Sequence, residues 1–294
     1  MGDKSGIATR TPEQVPRGHR TEAHARVVSD SVSPAGARLT TVEATLHRFV
    51  LAEINTHRVF SRNSASSRAI PVTKQLERVS QDPAWPVTWP AEHTGMQGGV
   101  ALLDSDLEDA QQLFHDAHDA VCGLVKDYLE RHPDKEHRLH KSLLNRLLEP
   151  FLWHTVVITS TEWDNFFALR CSPLAQPEIR AVAEAIRAAI RDSEPTPVGT
   201  GAWHTPYVDR DEQFDSLDTR LMVSAARCAR VSYLTHDGRT DVSSDLLLFE
   251  RLTESRPAHS SPLEHVATPA PPGDIVLGNF HGWHQYRHRF EKAP

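Results

Sequence analysis

The densest group of side chains able to do chemistry lies in residues 56–68, where three arginines, several serines, a histidine and an asparagine occur close together. Guanidinium groups, hydroxyls and free backbone N–H groups at a helix-to-loop junction are the donors that a phosphate or pyrophosphate needs. A solvated polar loop can have the same composition, so the residue types alone leave both interpretations open. The spacing of the residues carries more information.

Two further regions combine arginine with amide, carboxylate or histidine side chains. In the first, residues 145–150 (Asn-Arg-Leu-Leu-Glu-Pro) are followed, after an apolar stretch, by residues 165–170 (Asn-Phe-Phe-Ala-Leu-Arg). In the second, residues 229–233 (Ala-Arg-Val-Ser-Tyr) precede residues 259–265 (His-Ser-Ser-Pro-Leu-Glu-His). Taken alone, Arg170 is typical of a cation at a helix C-terminus. Beside the first group it becomes a candidate ligand-binding cation.

Together these segments resemble the motifs of flavin-dependent thymidylate synthases. That family's signature is Arg-His-Arg-x-x-Ser-x-Asn-x-x-Ser-x-Arg. Two positions depart from it: Thr56 stands where the first arginine belongs, and Ser64 stands where many members carry a glutamate. The positions in register are His57, Arg58, Ser61, Asn63, Ser66 and Arg68.

The resemblance implies methylation of a uracil nucleotide, dUMP or UMP, at C5. The one-carbon donor is then methylenetetrahydrofolate, the bound cofactor is FAD, and NADPH reduces the flavin. It also implies a homotetramer with sites between subunits. Related UMP/dUMP methylases of polyoxin-type nucleoside antibiotic pathways accept the ribonucleotide, and the departures at Thr56 and Ser64 favour such a specialised role. The sugar and the pathway stay open.

The same resemblance assigns roles to individual residues. Arg170, Arg146 and Ser66 are the expected catalytic residues. The fixed positive charge of the two arginines would stabilise electron density that develops on the uracil ring, and Ser66 would bind the substrate phosphate. The expected substrate-binding residues are Ser66, Ser67, Arg68, Arg146, Arg170 and Glu53. The expected cofactor-binding residues are His57, Arg58, Ser61, Asn63, Asn165, Ser232, His259, Ser261, Glu264 and Arg287.

The order of the motifs is unusual. The region 229–265 follows the region 56–68, whereas in most bacterial members of the family it precedes it. We therefore expect a circularly permuted or rearranged connectivity. A literal Arg-His-Arg occurs at residues 287–289, and we hypothesise that Arg287 makes the flavin or nucleotide contact that Thr56 cannot make. A basic surface helix near the C-terminus is an equally open interpretation.

Composition argues against several other classes. The 294 residues carry a formal charge of −7, which does not suit a protein that coats duplex DNA. An apolar run near the roughly 20 residues of a membrane span is missing, and the polar N-terminus does not resemble a signal peptide. The three cysteines form no CxxC pair, so a reducing cytoplasm is the expected location.

The 18 histidines raise the question of a metal site. His281, His284 and His288 would share one face of a helix, but there is no HExxH motif and no acidic partner at a fixed spacing. We therefore expect no metal. The hypothesis of a metal-dependent hydrolase is supported only by this abundance of histidine. The main alternative to an enzyme is a non-catalytic nucleotide- or nucleic-acid-binding protein derived from the same fold.

The periodicity predicts an α+β fold in which helices pack on a mixed sheet. Residues 26–46 should form a hairpin around Pro34-Ala35-Gly36, and residues 151–163 a strand. A capping box at Ser105 should begin a long helix, and residues 61–69 should form a polar loop. We expect residues 1–22 to be a mobile tail and residues 23–294 to be one catalytic domain. A short helix is predicted to follow the polar loop and to end near residue 82. The other helices are predicted over residues 46–57, 105–131, 136–148, 163–170, 178–192, 218–230 and 243–254.

Overall fold

The computed structural model describes residues 23–231 and 241–290, so the predicted tail and Ser232 lie outside the described residues. Its centre is a five-stranded sheet with the strand order β3-β4-β2-β1-β5. β5 pairs parallel with β1 and the other neighbours pair antiparallel, which confirms the predicted mixed sheet. The strands are β1 (His24–Val32), β2 (Arg38–His47), β3 (Ser61–Ser64), β4 (Trp153–Ser160) and β5 (Thr196–Pro197).

The predicted hairpin is confirmed by the antiparallel pairing of β1 with β2. Its turn ends on Gly36, whose φ of +83° is a conformation that glycine adopts without strain. β2 is buried on both faces. Val42, Ala44 and Leu46 face one layer of the molecule, and Thr41 faces the other.

The helices confirm the predicted α+β class, although several boundaries differ. Because β2 continues to His47, the first predicted helix is reduced to a 3-10 turn and a single short helix. The predicted capping box is wrong, since the long helix begins before Ser105 and its N-cap, Leu103, makes no side-chain bond. The helices are α1 (Leu51–Asn55), α2 (Val72–Gln81), α3 (Asp104–Arg131), α4 (Lys141–Leu147), α5 (Asp164–Arg170), α6 (Pro177–Arg191), α7 (Leu217–Arg230) and α8 (Val242–Glu254).

Two segments change type relative to the sequence prediction. The first half of the predicted polar loop is strand β3, which pairs with β4 at the edge of the sheet. Near the C-terminus, β6 (Ala267–Pro269) pairs with β7 (Trp283–Gln285), and the 3-10 turn Tyr286–Arg289 follows. The prediction that three histidines share one face of a helix is therefore wrong. His284 lies in β7, and its Nε2 is 3.2 Å from Asp274 Oδ2.

The apolar residues form several clusters. The amphipathic helix α6 covers one face of the sheet, where its buried Ile179, Val182 and Ile186 pack with the apolar residues of β2 and β4. A second cluster unites α2, α3 and α4 around Leu144 and Phe151. A third unites α7 and α8 with the 3-10 turn Ser261–His265.

A buried polar network joins the opposite face of the sheet to the C-terminal part of the chain. His204 Nε2 and Thr41 Oγ1 are 2.7 Å apart, and Thr41 Oγ1 is 2.7 Å from Thr159 Oγ1. Thr159 Oγ1 in turn lies 2.7 Å from His265 Nδ1. Burial lowers the pKa of both histidines to about 3, so the network is neutral at pH 7. Within residues 23–231 and 241–290, we find no helix of the length and apolar character that crossing a bilayer requires.

Candidate active site

Arg170, at the end of α5, contacts the first residues of the signature segment. Its Nε donates to His57 Nε2 at 3.1 Å, and its Nη2 donates to Thr56 Oγ1 at 3.2 Å. Thr56 Oγ1 in turn donates to the carbonyl oxygen of Glu53 at 2.7 Å. The guanidinium of Arg170 is thus oriented by two neighbouring side chains, one of them the threonine that departs from the family pattern.

His57 is buried and neutral. Burial lowers its pKa, and the positive charges of Arg170 and Arg62 lower it further. Because Nε2 accepts from Arg170, the ring proton is on Nδ1. Arg62 Nη1 donates to the carbonyl oxygen of His57 at 2.8 Å and to those of Ile54 and Asn55 at 3.3 Å, so it caps the end of α1 and fixes the backbone that carries His57.

A cavity of about 610 Å³ opens beside His57 and Asn165. Trp163 and Phe167 also line it, with their rings stacked at 5.9 Å between centroids. Its size is in the range of small-molecule sites, and its wall combines aromatic faces with a few polar groups. Two of the residues predicted to line the flavin, His57 and Asn165, therefore share one cavity. A planar ring system with a polar edge fits such a wall.

The candidate phosphate-binding residues lie on the loop between β3 and α2. Ser66 and Arg68 are exposed, whereas Ser67 is half-buried and its hydroxyl donates to Glu149 Oε1 at 2.7 Å. Arg146 is exposed on α4. Its neighbour Asn145 contacts the backbone of this loop, so the second motif lies next to the first one here.

Other predicted flavin residues on β3 bond to the C-terminal part of the chain. Ser61 is buried, and its hydroxyl accepts from Gln285 Nε2 at 3.1 Å. Asn63 Nδ2 donates to the carbonyl oxygen of Cys228 at 2.7 Å. Ser261 Oγ donates to the carbonyl oxygen of Arg62 at 3.1 Å. The structure thus brings the third motif against the first, although about 200 residues separate them in the sequence.

The other residues that the sequence predicts for the site have various surroundings. Arg287 Nη1 donates to Glu264 Oε1 at 2.6 Å, while Thr56 contacts Arg170, so Arg287 and Thr56 have different partners. His259 is exposed and lines a cavity of about 580 Å³ together with Arg230 and Arg251. Arg58 is exposed, and Glu53 Oε2 is buried. In the part of the chain that the structure describes, no three His, Cys, Asp or Glu side chains are grouped to hold a metal ion.

Three residues near the candidate site, Asn145, Glu149 and Trp163, were not predicted from the sequence as site residues. Asn145 and Glu149 flank Arg146 in the segment Asn-Arg-Leu-Leu-Glu-Pro, and Trp163 lies two residues before Asn165. A polar residue on either side of a candidate arginine was the available signal. The roles of Asn145 and Glu149 depend on contacts with a loop about 80 residues earlier, which spacing within the motif does not reveal.

The family of this chain follows from its similarity to a known family. A sequence profile of the family described as thymidylate synthase complementing protein matches residues 19–196, which is more than half of the chain. This chain belongs to that family. The thymidylate synthase complementing proteins are the flavin-dependent thymidylate synthases, so both the predicted family and the predicted methyltransferase class are confirmed.

Among solved structures, the chain is similar to a UMP/dUMP methylase, PolB, from Streptomyces cacaoi. The complex of that protein with 5-Br UMP is 16% identical, with a TM-score of 0.47, over 60% of this chain and 92% of the other. The complex with 5-Br dUMP is 16% identical, with a TM-score of 0.43, over 58% of this chain and 90% of the other. No curated protein matches the chain significantly.

Proposed function

We propose that this protein methylates C5 of UMP or dUMP, with methylenetetrahydrofolate as one-carbon donor, FAD as cofactor and NADPH as reductant. One observation carries the proposal. His57 lines the 610 Å³ cavity and also accepts a hydrogen bond from Arg170, so a candidate flavin residue and a candidate substrate residue are in direct contact. This is the adjacency that transfer between a cofactor and a bound nucleotide requires.

In this proposal the arginines bind and polarise the nucleotide. Arg170 and Arg146 face the uracil carbonyls and the ribose, where their fixed charge stabilises electron density that develops on the ring during attack from C5. Ser66 and Arg68 bind the phosphate. Thr56 and His57 hold the Arg170 guanidinium, so little reorganisation is needed when the nucleotide arrives.

When bound, FAD supplies the redox chemistry, namely the hydride that completes the methyl group. The residues proposed to hold it include His57 and Asn165, whose shared cavity has an aromatic wall that fits a planar ring. Ser61 and Asn63 contribute by fixing β3 against the C-terminal segment. Arg58, Ser232, His259, Ser261, Glu264 and Arg287 complete the proposed set.

The state of the cysteines supports a mechanism without a cysteine nucleophile. Burial raises the pKa of Cys122, Cys171 and Cys228 above the ordinary value of a thiol. The thiolate is the nucleophilic form, so each of these groups is held in its less reactive state at pH 7. This includes Cys171, which directly follows Arg170. The free state of all three also supports the proposed cytoplasmic location.

A visible absorption spectrum of the purified protein tests the proposal. We expect a flavin band after incubation with FAD and removal of the excess, and a change in that band on addition of UMP or dUMP. The nucleotide that saturates the change at lower concentration identifies the preferred sugar. Binding of either nucleotide to a protein that takes up no FAD would contradict the proposal and favour a non-catalytic nucleotide-binding protein.

A further inference from the structure

Three carbonyl groups of the loop at residues 66–70 accept hydrogen bonds from side chains of α4. Asn145 Nδ2 donates to the carbonyl oxygens of Ser67 at 2.8 Å and Ile70 at 2.9 Å. Lys141 Nζ donates to the carbonyl oxygen of Ala69 at 3.4 Å. One amide group therefore ties together both ends of the loop, and only 2% of Asn145 is exposed.

The orientation of the Asn145 amide is fixed by its partners. Both partners are carbonyl oxygens, which only accept, so the nitrogen and not the oxygen of the amide must face the loop. An aspartate at this position has the same shape but no donor. The two contacts would then place oxygen against oxygen.

Glu149 also contacts the same loop, through the side chain of Ser67. The hydroxyl of Ser67 donates to Glu149 Oε1 at 2.7 Å, and Arg48 Nη2 lies 3.4 Å from the same oxygen. The cavity beneath the loop is only about 20 Å³, enough for roughly one water molecule and too small for a phosphate. Its lining includes Ser66 and Ser67 of the loop, Asn145, Glu149 and His154. Ser66 and Arg68 are both exposed, and two bonds shape this end of the loop: Arg68 N donates to Ser66 Oγ at 3.3 Å and Ala69 N donates to Ser66 O at 2.9 Å.

We propose that Asn145 and Glu149 are positioning residues that hold the 66–70 loop with Ser66 and Arg68 outward to bind the nucleotide phosphate, and that Ser67 acts only through Glu149. The inference rests on the proposed function for the identity of the ligand. The contacts of Asn145 and Glu149 with the loop, which we call the clamp, do not depend on which ligand binds. It differs from the sequence expectation, in which Ser67 contacts the substrate directly.

The first test is hydrogen exchange of the loop without nucleotide. In Asn145→Asp we expect faster exchange of the amides of residues 66–70 than in the wild type, with a circular dichroism spectrum that shows a folded protein. Gln213→Glu, which adds a charge at an exposed amide, is the control and should leave these amides unchanged. Unchanged exchange in folded Asn145→Asp would overturn the clamp, whether or not the protein binds nucleotides.

The second test separates an indirect role of Ser67 from a direct one. We expect Ser67→Ala and Glu149→Ala each to weaken UMP or dUMP binding about threefold to tenfold, the loss of about one hydrogen bond, with kcat at saturating nucleotide little changed. The double variant should bind no more weakly than either single one, and Glu149→Gln, which keeps an acceptor, should bind nearly as well as the wild type. If Ser67→Ala weakens binding by the same factor with and without Glu149, Ser67 contacts the phosphate directly and the proposal is wrong.

Discussion

Thr56 places a neutral hydroxyl where the family pattern has a cation. A second guanidinium beside Arg170 would repel it, because like charges a few ångströms apart interact unfavourably. The hydroxyl instead accepts from Arg170 Nη2 and donates to Glu53 O, so its direction is set from both sides. The departure therefore changes how the candidate substrate arginine is held.

We predict that Thr56→Val weakens nucleotide binding about threefold to tenfold, because valine has the same shape but cannot accept from Arg170. Thr56→Ser keeps the hydroxyl and should bind within about twofold of the wild type. A nucleotide titration followed through the flavin band measures both. A loss of affinity in Thr56→Ser without a loss in Thr56→Val would show that the methyl group, and not the hydroxyl, is what matters at this position.

The spacing of residues in the sequence identified the motif segments but not the hydrogen-bond partners of each side chain. His57 and Asn165 were both predicted to face the flavin, and the structure brings them to one cavity. The bonds of Ser61 to Gln285 and of Asn63 to Cys228 could not be predicted, since each joins positions more than 160 residues apart. One sequence without its tertiary contacts contains no direct signal for such pairs.

The long periodic helices and the hairpin were predictable from the sequence, and the short helices and strands were not. α3 and α6 have enough turns for the apolar stripe to be recognised. β3 has four polar residues, and it is a strand because β4 offers an unpaired edge. The same holds for β7, whose pairing with β6 prevents the helix that its histidine spacing suggested.

The network of His204 and His265 should make the attachment of the C-terminal elements to the sheet sensitive to acid. Both histidines have a pKa of about 3 in the folded protein, against about 6.5 in an unfolded chain. The unfolded state therefore binds more protons below pH 6.5. The free energy of unfolding should then fall with decreasing pH by about 1.4 kcal/mol per pH unit for each histidine, down to about pH 3.

Urea unfolding at pH values from 7.5 to 4.5 measures this dependence. His204→Gln and His265→Gln should each lower the free energy of unfolding at pH 7.5. Each should also reduce the slope of that free energy against pH by up to the contribution of one proton, about 1.4 kcal/mol per pH unit. His154, whose pKa burial also lowers to about 3, retains its own share of the slope. His93→Gln, at an exposed position, controls for the substitution itself. Identical slopes in the wild type and in both buried variants would contradict the prediction.

The two candidate substrate arginines lie on helices that pack in different parts of the molecule. Arg170 ends α5, which packs on α6 beside the sheet, whereas Arg146 lies on α4, which packs on α2 and α3. The exposed large apolar side chains include Leu143 and Leu147 on α4 and Leu113 on α3. A second subunit packed on α3 and α4 would remove such side chains from water. We therefore propose, in line with the expected homotetramer, that one site takes Arg146 and Arg170 from different subunits.

Subunit mixing tests this arrangement. Arg146→Ala and Arg170→Ala should each be inactive alone, but in random mixed oligomers about a quarter of the sites should regain both arginines, because each site draws on two subunits. The double variant mixed with an equal amount of wild type should also leave about a quarter of the sites intact if the arginines come from different subunits, and about half if they come from one. No recovery on mixing the single variants, together with half-activity in the second mixture, would place both arginines in the same subunit.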